Sequence, residues 1–176
     1  MFKKLAVFDF DGTLVNTPTK PLNWKGGFYG RKESLLPPIF PHIEDIKEQG
    51  MHFLNKKVVN AYEKSIMSPD TLTIMMTGRH MGLRWLVLKI LAAYGIDPED
   101  AVNKRAYFIS NGKFGTLAGK KSTIAELLEE FPYINQIEMW EDRDEHVVEF
   151  LNMYNEIKQF RKGFLGVTVH SPPDWD

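Results

Sequence analysis

Apolar residues recur along this chain in two alternating patterns, short continuous runs and runs with helical spacing. The continuous runs are apolar or β-branched and are bounded by polar or turn residues, which is typical of β-strands. Between them, apolar positions three or four residues apart predict helices. The predicted strands cover residues 4–8, 71–76, 105–109, 136–140 and 164–169, and the predicted helices cover residues 55–67, 82–94, 123–131 and 145–160.

Two of the predicted helices have additional features. The segment 82–94 is apolar almost all round, which indicates a buried helix. The segment 123–131 opens with Thr123 and has Glu126 three residues later, a spacing that fits a capping box. We therefore expect this helix to begin at Thr123.

The alternation of strands and helices predicts an α/β fold, a Rossmann-like parallel sheet with helices on both faces. The crossovers between parallel strands should be right-handed. A chain of 176 residues is long enough for one domain with a substantial core. We expect a single domain over residues 1–170 and a loose tail over residues 171–176.

The segment 16–42 breaks this alternation directly after the first predicted strand. It holds five of the ten prolines and three of the thirteen glycines, together with the aromatic residues Trp24, Phe28 and Tyr29. A long irregular insertion at this position is more often a lid than a linker. The prediction is a minimal cap or flap over residues 16–42.

The composition limits the cellular location and the kinds of covalent and metal sites that are possible. The absence of cysteine excludes disulfides and thiolate metal sites. No apolar stretch approaches the length needed to span a bilayer, and Asp9 interrupts the N-terminal apolar run too early for a signal peptide. We expect a cytoplasmic protein with no membrane contact.

The net charge of −1 conceals an uneven distribution of charge along the chain. Residues 101–121 contain five basic residues and no acid, whereas residues 123–156 are rich in acids and contain only Arg143 as a base. Such segregation can create a local positive field without a positive total. The alternative, that these charges simply lie on solvated faces, remains open at this point.

The first candidate site follows the first predicted strand, where Asp9 and Asp11 precede Gly12 and Thr13. Alternate residues of a strand share a face, so the two carboxylates can converge. Carboxylates this close repel each other unless a cation lies between them. Mg²⁺ suits such a site because it prefers oxygen ligands and needs few from the protein.

Two other interpretations of this motif are an EF-hand calcium loop and an ordinary turn. The calcium loop would need a glutamate at its twelfth position, where this chain has Lys20. An ordinary turn accounts for aspartate and glycine but not for the apolar strand before them. Open α/β sheets bind ligands at such strand ends, so the motif favours catalysis.

The second candidate is the sequence Thr77-Gly78-Arg79, directly after another predicted strand. The Thr77 hydroxyl and the backbone amides after it can bind a phosphate oxygen at the start of a helix. Arg79 offers a planar fork that matches phosphate. The alternative is an ordinary strand–turn–helix junction with a solvated arginine.

The remaining candidates are a lysine pair and an acidic turn. Lys120 or its neighbour Lys121, just before the predicted helix, can place a positive charge on a phosphoryl group. After the strand 136–140, Asp142 is the best third ligand for a Mg²⁺ ion bound by Asp9. The other acids of this turn, Glu141 and Asp144, can act through water or orient the site, although the helix dipole alone favours acids at a helix start.

These segments, in this order, resemble the haloacid dehalogenase superfamily of phosphohydrolases. The matching segments are Asp9–Thr13, Met75–Arg79, Lys120 and Trp140–His146. Several details are similar to the polynucleotide 3′-phosphatase branch, which includes the Swiss Army Knife RNA repair-like domains. These details are the Thr17-Pro18 region with Trp24, the Gly-Phe-Tyr segment, the run from Ser68 to Thr73, and the Glu-Asp-Arg-x-x-His sequence from Glu141 to His146.

The resemblance implies a role for each matched residue. Asp9 would be the nucleophile that forms an aspartyl-phosphate. Asp11 would protonate the leaving oxygen and then activate water. Mg²⁺ would be held by the Asp9 side chain, the Asp11 carbonyl group and Asp142. The phosphate-binding set would be Thr77, Gly78, Arg79 and Lys120.

One departure from the family pattern concerns the catalytic lysine. Gly119 stands where related sequences often have a bulky apolar residue before the lysine. Lys121 therefore stays a candidate beside Lys120 at this point.

The resemblance implies a Mg²⁺-dependent phosphomonoesterase that acts on a nucleic-acid or nucleotide phosphate, with a 3′-phosphate end of RNA or DNA as the leading substrate. A kinase or ligase partner in end repair would fit such an activity. The main alternative is a phosphatase of free nucleotides or another small phosphorylated metabolite. A non-catalytic phosphate-binding domain is less favoured, because mere binding does not need the second aspartate.

Overall fold

The structure, a computed structural model, describes residues 1–17, 54–99, 102–109 and 115–172. Its strands are β1 (Lys4–Asp9), β2 (Thr71–Thr77), β3 (Lys104–Phe108), β4 (Gln136–Trp140) and β5 (Gly166–His170). Its α-helices are α1 (Lys56–Met67), α2 (Arg84–Ala93), α3 (Gly115–Glu130) and α4 (Asp144–Phe160), and a short 3₁₀ turn (Met81–Leu83) precedes α2.

The five strands form one parallel sheet in the order β3-β2-β1-β4-β5. In the central strand, Leu5 lies beside Leu72 of β2 on one side and beside Ile137 of β4 on the other. The order along the chain reverses at β1, so the crevice between the ends of β1 and β4 is a topological switch point. The predicted α/β parallel sheet is confirmed.

Both faces of the sheet are covered by helices, and β1 contributes alternate residues to the two sides. Ala6 and Phe8 pack in a core cluster with α1 and α2. Leu5 and Val7 pack in a second cluster with α3 and α4. The interior of β1, residues 5–8, is buried on both faces, which is why this part of the strand is a continuous apolar run.

The observed bounds differ from the sequence prediction mainly at α3. This helix begins at Gly115, well before Thr123. The Thr123 hydroxyl donates to the Gly119 carbonyl oxygen at 3.1 Å, and Glu126 accepts from Ser122 at 3.2 Å. The predicted capping box is therefore wrong, because Thr123 lies inside the helix and bonds back to the preceding turn.

Smaller differences affect α2 and β5. The predicted buried helix over residues 82–94 is only partly buried: α2 is buried along one side, and Trp85 on its outer side is 52% exposed. Strand β5 begins at Gly166, and Phe164 contributes to the core from the turn before it.

Most of the predicted flap over residues 16–42 lies outside the described residues, as does the end of the predicted tail. The single-domain boundary and the flap stay predictions. Across the ranges that the structure describes, no helix has the length and apolar character needed to cross a membrane.

Candidate active site

The candidate site lies where three neighbouring strands end. Asp9 is the last residue of β1, Thr77 is the last residue of β2, and Glu141 and Asp142 follow the end of β4 directly. Because the strands are parallel, these ends meet at one edge of the sheet. The site thus forms from segments that are far apart in sequence.

The buried half of the site is organised around Lys120. Its ammonium group donates to Asp9 Oδ1 at 2.7 Å and to Glu141 Oε2 at 2.7 Å. All three side chains are almost fully buried. Lys120 lies inside α3 rather than before a helix, which corrects the predicted position of this lysine.

The neighbouring Lys121 points away from this site. Its ammonium group lies 3.5 Å from Glu149 and 3.2 Å from Glu156, two acids of α4. The structure therefore brings Lys120, and not Lys121, to Asp9.

One ammonium group shared by two buried carboxylates leaves the site rich in negative charge. Burial raises the pKa of Asp9 to about 8, and although Lys120 opposes this shift, Glu141 and Asp11 add to it. Burial alone would lower the pKa of Lys120, but Asp9 and Glu141 outweigh burial and raise it. Burial would raise the pKa of Glu141, but His146 and Lys120 hold it below its usual value.

Asp142 completes a group of three carboxylates that could hold a metal ion. One oxygen each of Asp9, Glu141 and Asp142 lies within 4.8 Å of the others. Burial, with the nearby Glu141, raises the pKa of Asp142 to about 6. Asp142 Oδ1 is buried and has no hydrogen-bond partner among the described residues.

These features fit a divalent cation. An orphaned carboxylate oxygen beside two further acids provides the hard oxygen ligands that Mg²⁺ prefers. A cation here would also favour the charged forms of Asp9 and Asp142, which burial disfavours.

Gly12 allows Asp142 to approach the turn that follows β1. Its φ angle is +71°, and a Cβ atom at this position would lie 2.2 Å from Asp142 Oδ2. The turn is closed by backbone bonds from Gly12 N to the Val15 oxygen and from Val15 N to the Phe10 oxygen. A side chain at position 12 would therefore displace either the turn or Asp142.

The more open half of the site is organised around Asp11. The Arg79 guanidinium group donates through Nε to Asp11 Oδ2 at 3.0 Å and through Nη2 to Asp11 Oδ1 at 2.6 Å. Hydroxyl groups donate to the same carboxylate from Thr17 at 2.8 Å and from Thr77 at 3.4 Å. Arg79 is thus a buried partner of Asp11 and not the solvated arginine of the alternative interpretation.

Gly78 provides close packing between the end of β2 and the start of α3. A Cβ atom at Gly78 would lie 2.9 Å from Thr116 Cγ2 and 3.1 Å from Thr116 Oγ1. The first turn of α3 therefore lies directly against the Thr77-Gly78-Arg79 turn.

The structure also identifies site residues that sequence reasoning missed. The sequence pointed to Thr17 only through the segment that resembles the family. Neither Thr116 nor the inward-facing position of His146 was predicted. A signal for His146 exists, since the buried positions of α4 are 146, 150, 153 and 157, a helical period that begins at the histidine. Asp144 is exposed in the first turn of α4, where the helix dipole favours an acid.

Among the solved structures with the same fold is a haloacid dehalogenase-type (HAD) domain. The HAD domain of effector protein Lem4 from Legionella pneumophila is 17% identical, with a TM-score of 0.57 over 97% of this chain and 86% of that one. A chain in the Pnkp1/Rnl/Hen1 complex is 18% identical, with a TM-score of 0.50 over 97% of this chain. This chain covers 46% of the length of that protein. At such identities the likeness shows the fold, which is HAD-like.

The family is shown by the sequence itself. Residues 25–174 match the model of HAD domain family 1 in Swiss Army Knife RNA repair proteins, and the chain belongs to this family. The resemblance inferred from the motifs is thereby confirmed. Asp9 and Asp11 precede the matched segment, so their place in the site rests on the geometry described above.

Proposed function

We propose that this chain is a Mg²⁺-dependent phosphomonoesterase that works through an aspartyl-phosphate. The observation that carries the proposal is the meeting of Asp9, Lys120 and Asp142 at the switch point of the sheet, with Asp11 in the turn that directly follows β1. Buried titratable groups with strongly shifted pKa values in such a crevice are typical of catalytic sites.

The proposed reaction has two steps. A carboxylate oxygen of Asp9 attacks phosphorus, the phosphorus–oxygen ester bond breaks, and Asp11 gives its proton to the leaving oxygen. Water then attacks the aspartyl-phosphate while Asp11 takes back a proton. This second step releases inorganic phosphate and restores both carboxyl groups.

The Asp9 and Asp142 side chains and the Asp11 carbonyl group would hold the metal ion. When bound, Mg²⁺ supplies positive charge that offsets the carboxylates and the phosphate. Lys120, the Thr77 hydroxyl and the Gly78 backbone would bind the transferred phosphoryl group. Arg79, which contacts Asp11 through Nε and Nη2, would lie beside the substrate phosphate as an additional clamp.

The proposed substrate is a phosphate end of a nucleic acid or nucleotide, foremost a 3′-phosphate. The membership of a family named for RNA repair proteins supports this choice. The sequence 16–42 adds aromatic residues and basic residues that could stack a base and follow a backbone. A kinase or ligase partner and a cytoplasmic location belong to the same proposal.

A phosphate-release screen tests the proposal. It compares 3′-phosphorylated oligonucleotides, 5′-phosphorylated oligonucleotides and mononucleotides, each with Mg²⁺ and with EDTA. We expect release only with Mg²⁺ and none from an Asp9→Asn control. A folded wild-type protein that releases no phosphate from any of these substrates would contradict the proposed activity.

Substrate preference gives a sharper prediction. The 3′-phosphorylated oligonucleotide should exceed the matching 3′-mononucleotide in kcat/KM by roughly 5- to 150-fold, because stacking is worth about 1–3 kcal/mol per base. Higher salt should reduce this preference. Trp24→Ala should reduce it while leaving aryl phosphate hydrolysis nearly unchanged. Equal efficiency on both substrates at low salt would favour a small-metabolite phosphatase instead.

A further inference from the structure

The three carboxylates that could hold a metal ion differ in how their oxygens are used. Glu141 Oε2 accepts from Lys120 at 2.7 Å and lies 3.3 Å from His146 Nδ1. Glu141 Oε1 accepts from the backbone N–H of Arg143 at 3.4 Å. Asp142 Oδ1, in contrast, is buried without a partner in the part of the chain that the structure describes.

We propose that Glu141 is a positioning residue that holds Lys120, and not a ligand of the metal ion, and that His146 supports it from α4. The proposal rests on the proposed function in assigning Lys120 to the transferred phosphoryl group. Its basis is the occupancy of the oxygens. A metal ion on Glu141 Oε2 would have to share that oxygen with an ammonium group 2.7 Å away, and like charges repel. Asp9 contacts the same ammonium group through Oδ1 only, which leaves its Oδ2 for the ion, whereas both oxygens of Glu141 accept hydrogen bonds.

The need for such a residue follows from the contacts of Lys120. In the structure, Lys120 divides its donors between Asp9 and Glu141. Once Asp9 becomes phosphorylated, its contact with Lys120 must change. Glu141 does not take part in the reaction, so it keeps the ammonium group at the phosphoryl site through both steps.

Glu141 is itself held firmly. Its side chain is 1% exposed, and its backbone N–H donates to the His170 carbonyl oxygen of β5 at 3.1 Å. His146 is buried and packs edge-on against Phe150, with ring centroids 6.1 Å apart. Its Nδ1 atom is near Glu141 but not aligned for a regular hydrogen bond, so its support should be weaker than the contact with Lys120.

The first test measures metal binding without turnover. Mn²⁺ is first bound to the wild type, to Glu141→Gln and to Asp142→Asn. Its displacement by added Mg²⁺, followed by electron paramagnetic resonance, gives the Mg²⁺ affinity of each protein. We expect Glu141→Gln to stay within about 3-fold of wild-type affinity and Asp142→Asn to lose about 10-fold or more, because of these two residues only Asp142 would contribute a charged oxygen ligand to the ion. A comparable loss in Glu141→Gln would overturn the proposal.

This measurement separates the inference from the proposed function. If neither variant loses affinity, Asp142 is not a ligand and the proposed metal site fails, whereas Glu141 still behaves as a non-ligand. Absence of phosphatase activity in the wild type would contradict the proposed function without changing either affinity.

The second test asks whether Glu141 acts through Lys120. Glu141→Gln should lower kcat by about 10- to 100-fold with little change in KM, since positioning partners of a site usually matter to this extent. In a Lys120→Met background, the same substitution should have almost no further effect. An equal loss in both backgrounds would show that Glu141 does not act through the lysine.

Two variants of His146, to phenylalanine and to asparagine, test the support of Glu141 from α4 without removing Lys120 or Glu141. His146→Phe keeps the ring volume but removes Nδ1, and should lower kcat. His146→Asn keeps an N–H donor near the Nδ1 position, and should recover most of the loss. Equal activity of the two variants would remove His146 from the proposal.

Discussion

Helix α3 carries two neighbouring lysines, each between two carboxylates, and their surroundings are opposite. Lys120 lies 2.7 Å from both Asp9 and Glu141, and its side chain is 3% exposed. Lys121 lies 3.5 Å from Glu149 and 3.2 Å from Glu156, and its side chain is 25% exposed. The same chemical groups thus form a buried centre on one face of the helix and a surface network on the other.

Because only one of the two lysines is buried, the two arrangements differ in what they contribute to stability and in the chemistry they can support. Exposed ion pairs contribute only about 0–1 kcal/mol to stability, because water and salt screen them. Removing one member of a buried pair costs about 3–5 kcal/mol, since it leaves an uncompensated charge. A buried ionic centre is weak evidence for stability, so its location at a strand-end crevice favours a catalytic interpretation.

The largest expected effect concerns Asp9, the acid that faces the buried lysine. Asp9→Asn should lower phosphate release by about 10³-fold or more, because an amide cannot form the acyl-phosphate bond. The fold should persist, since asparagine has a similar shape and its oxygen can still accept from Lys120. Phosphate release and circular dichroism melting are the two measurements. Near wild-type turnover by folded Asp9→Asn protein would refute the proposed nucleophile.

A somewhat smaller effect is expected at Asp11 in the open half of the site. Asp11→Asn should lower turnover of alkyl phosphates by roughly 10²–10⁴-fold through loss of acid–base catalysis. Mg²⁺ binding should persist, because the proposed metal contact is the backbone carbonyl group. Initial rates with alkyl and aryl phosphates check this prediction. Formation of the aspartyl-phosphate should be slowed less with an aryl phosphate, because its leaving group needs less protonation. An unchanged rate with an alkyl phosphate would exclude Asp11 as the acid–base residue.

The two lysines form a matched pair of variants that tests the comparison directly. Lys120→Met should lower kcat by about 10²–10³-fold, as expected for a buried charge that stabilises the transferred group. Lys121→Met should leave kcat unchanged and shift the free energy of unfolding by about 0–1 kcal/mol. Steady-state kinetics and urea unfolding of both variants in Mg²⁺ provide the check. Similar losses of activity in the two variants would mean that burial does not distinguish them.

Much of the site was predictable because its residues directly follow apolar strands. Asp9, Thr77 and Asp142 each come at or just after a strand end, and parallel strands bring such ends together. The predicted order of elements was sufficient to place them at one edge. The pairing of Arg79 with Asp11 was not predictable, because it depends on how two turns face each other in three dimensions.

Choosing between the two lysines required knowing which residues of α3 face the core. The sequence prediction began this helix at Thr123, after both lysines, and so assigned neither of them to a face. The buried residues of this helix are Lys120, Ile124, Leu127 and Leu128, a period that extends back to Lys120 and bypasses Lys121. The glycines at 115 and 119 and the two lysines obscured this period, because glycine is a poor helix former. Packing against the sheet outweighs that intrinsic preference.

The smallest expected effect tests how closely the inner face of α3 approaches the sheet. A Cβ atom at Gly119 would lie 2.3 Å from Ile109 Cγ2, just beyond the end of β3. Alanine normally favours a helix interior over glycine by about 1 kcal/mol, but overpacking costs about 1–3 kcal/mol. Because Ile109 is β-branched and buried, it cannot easily rotate away, so overpacking should dominate.

Gly119→Ala should therefore lower the free energy of unfolding by about 1 kcal/mol in urea titrations. The matched control is the same substitution in an Ile109→Ala background, where the obstructing methyl group is gone. There the helix preference alone should act, and Gly119→Ala should stabilise by up to about 1 kcal/mol. A stabilising effect in both backgrounds would mean that α3 is free to move away from β3. Lys120 would then owe its burial to its two carboxylate partners and not to close helix packing.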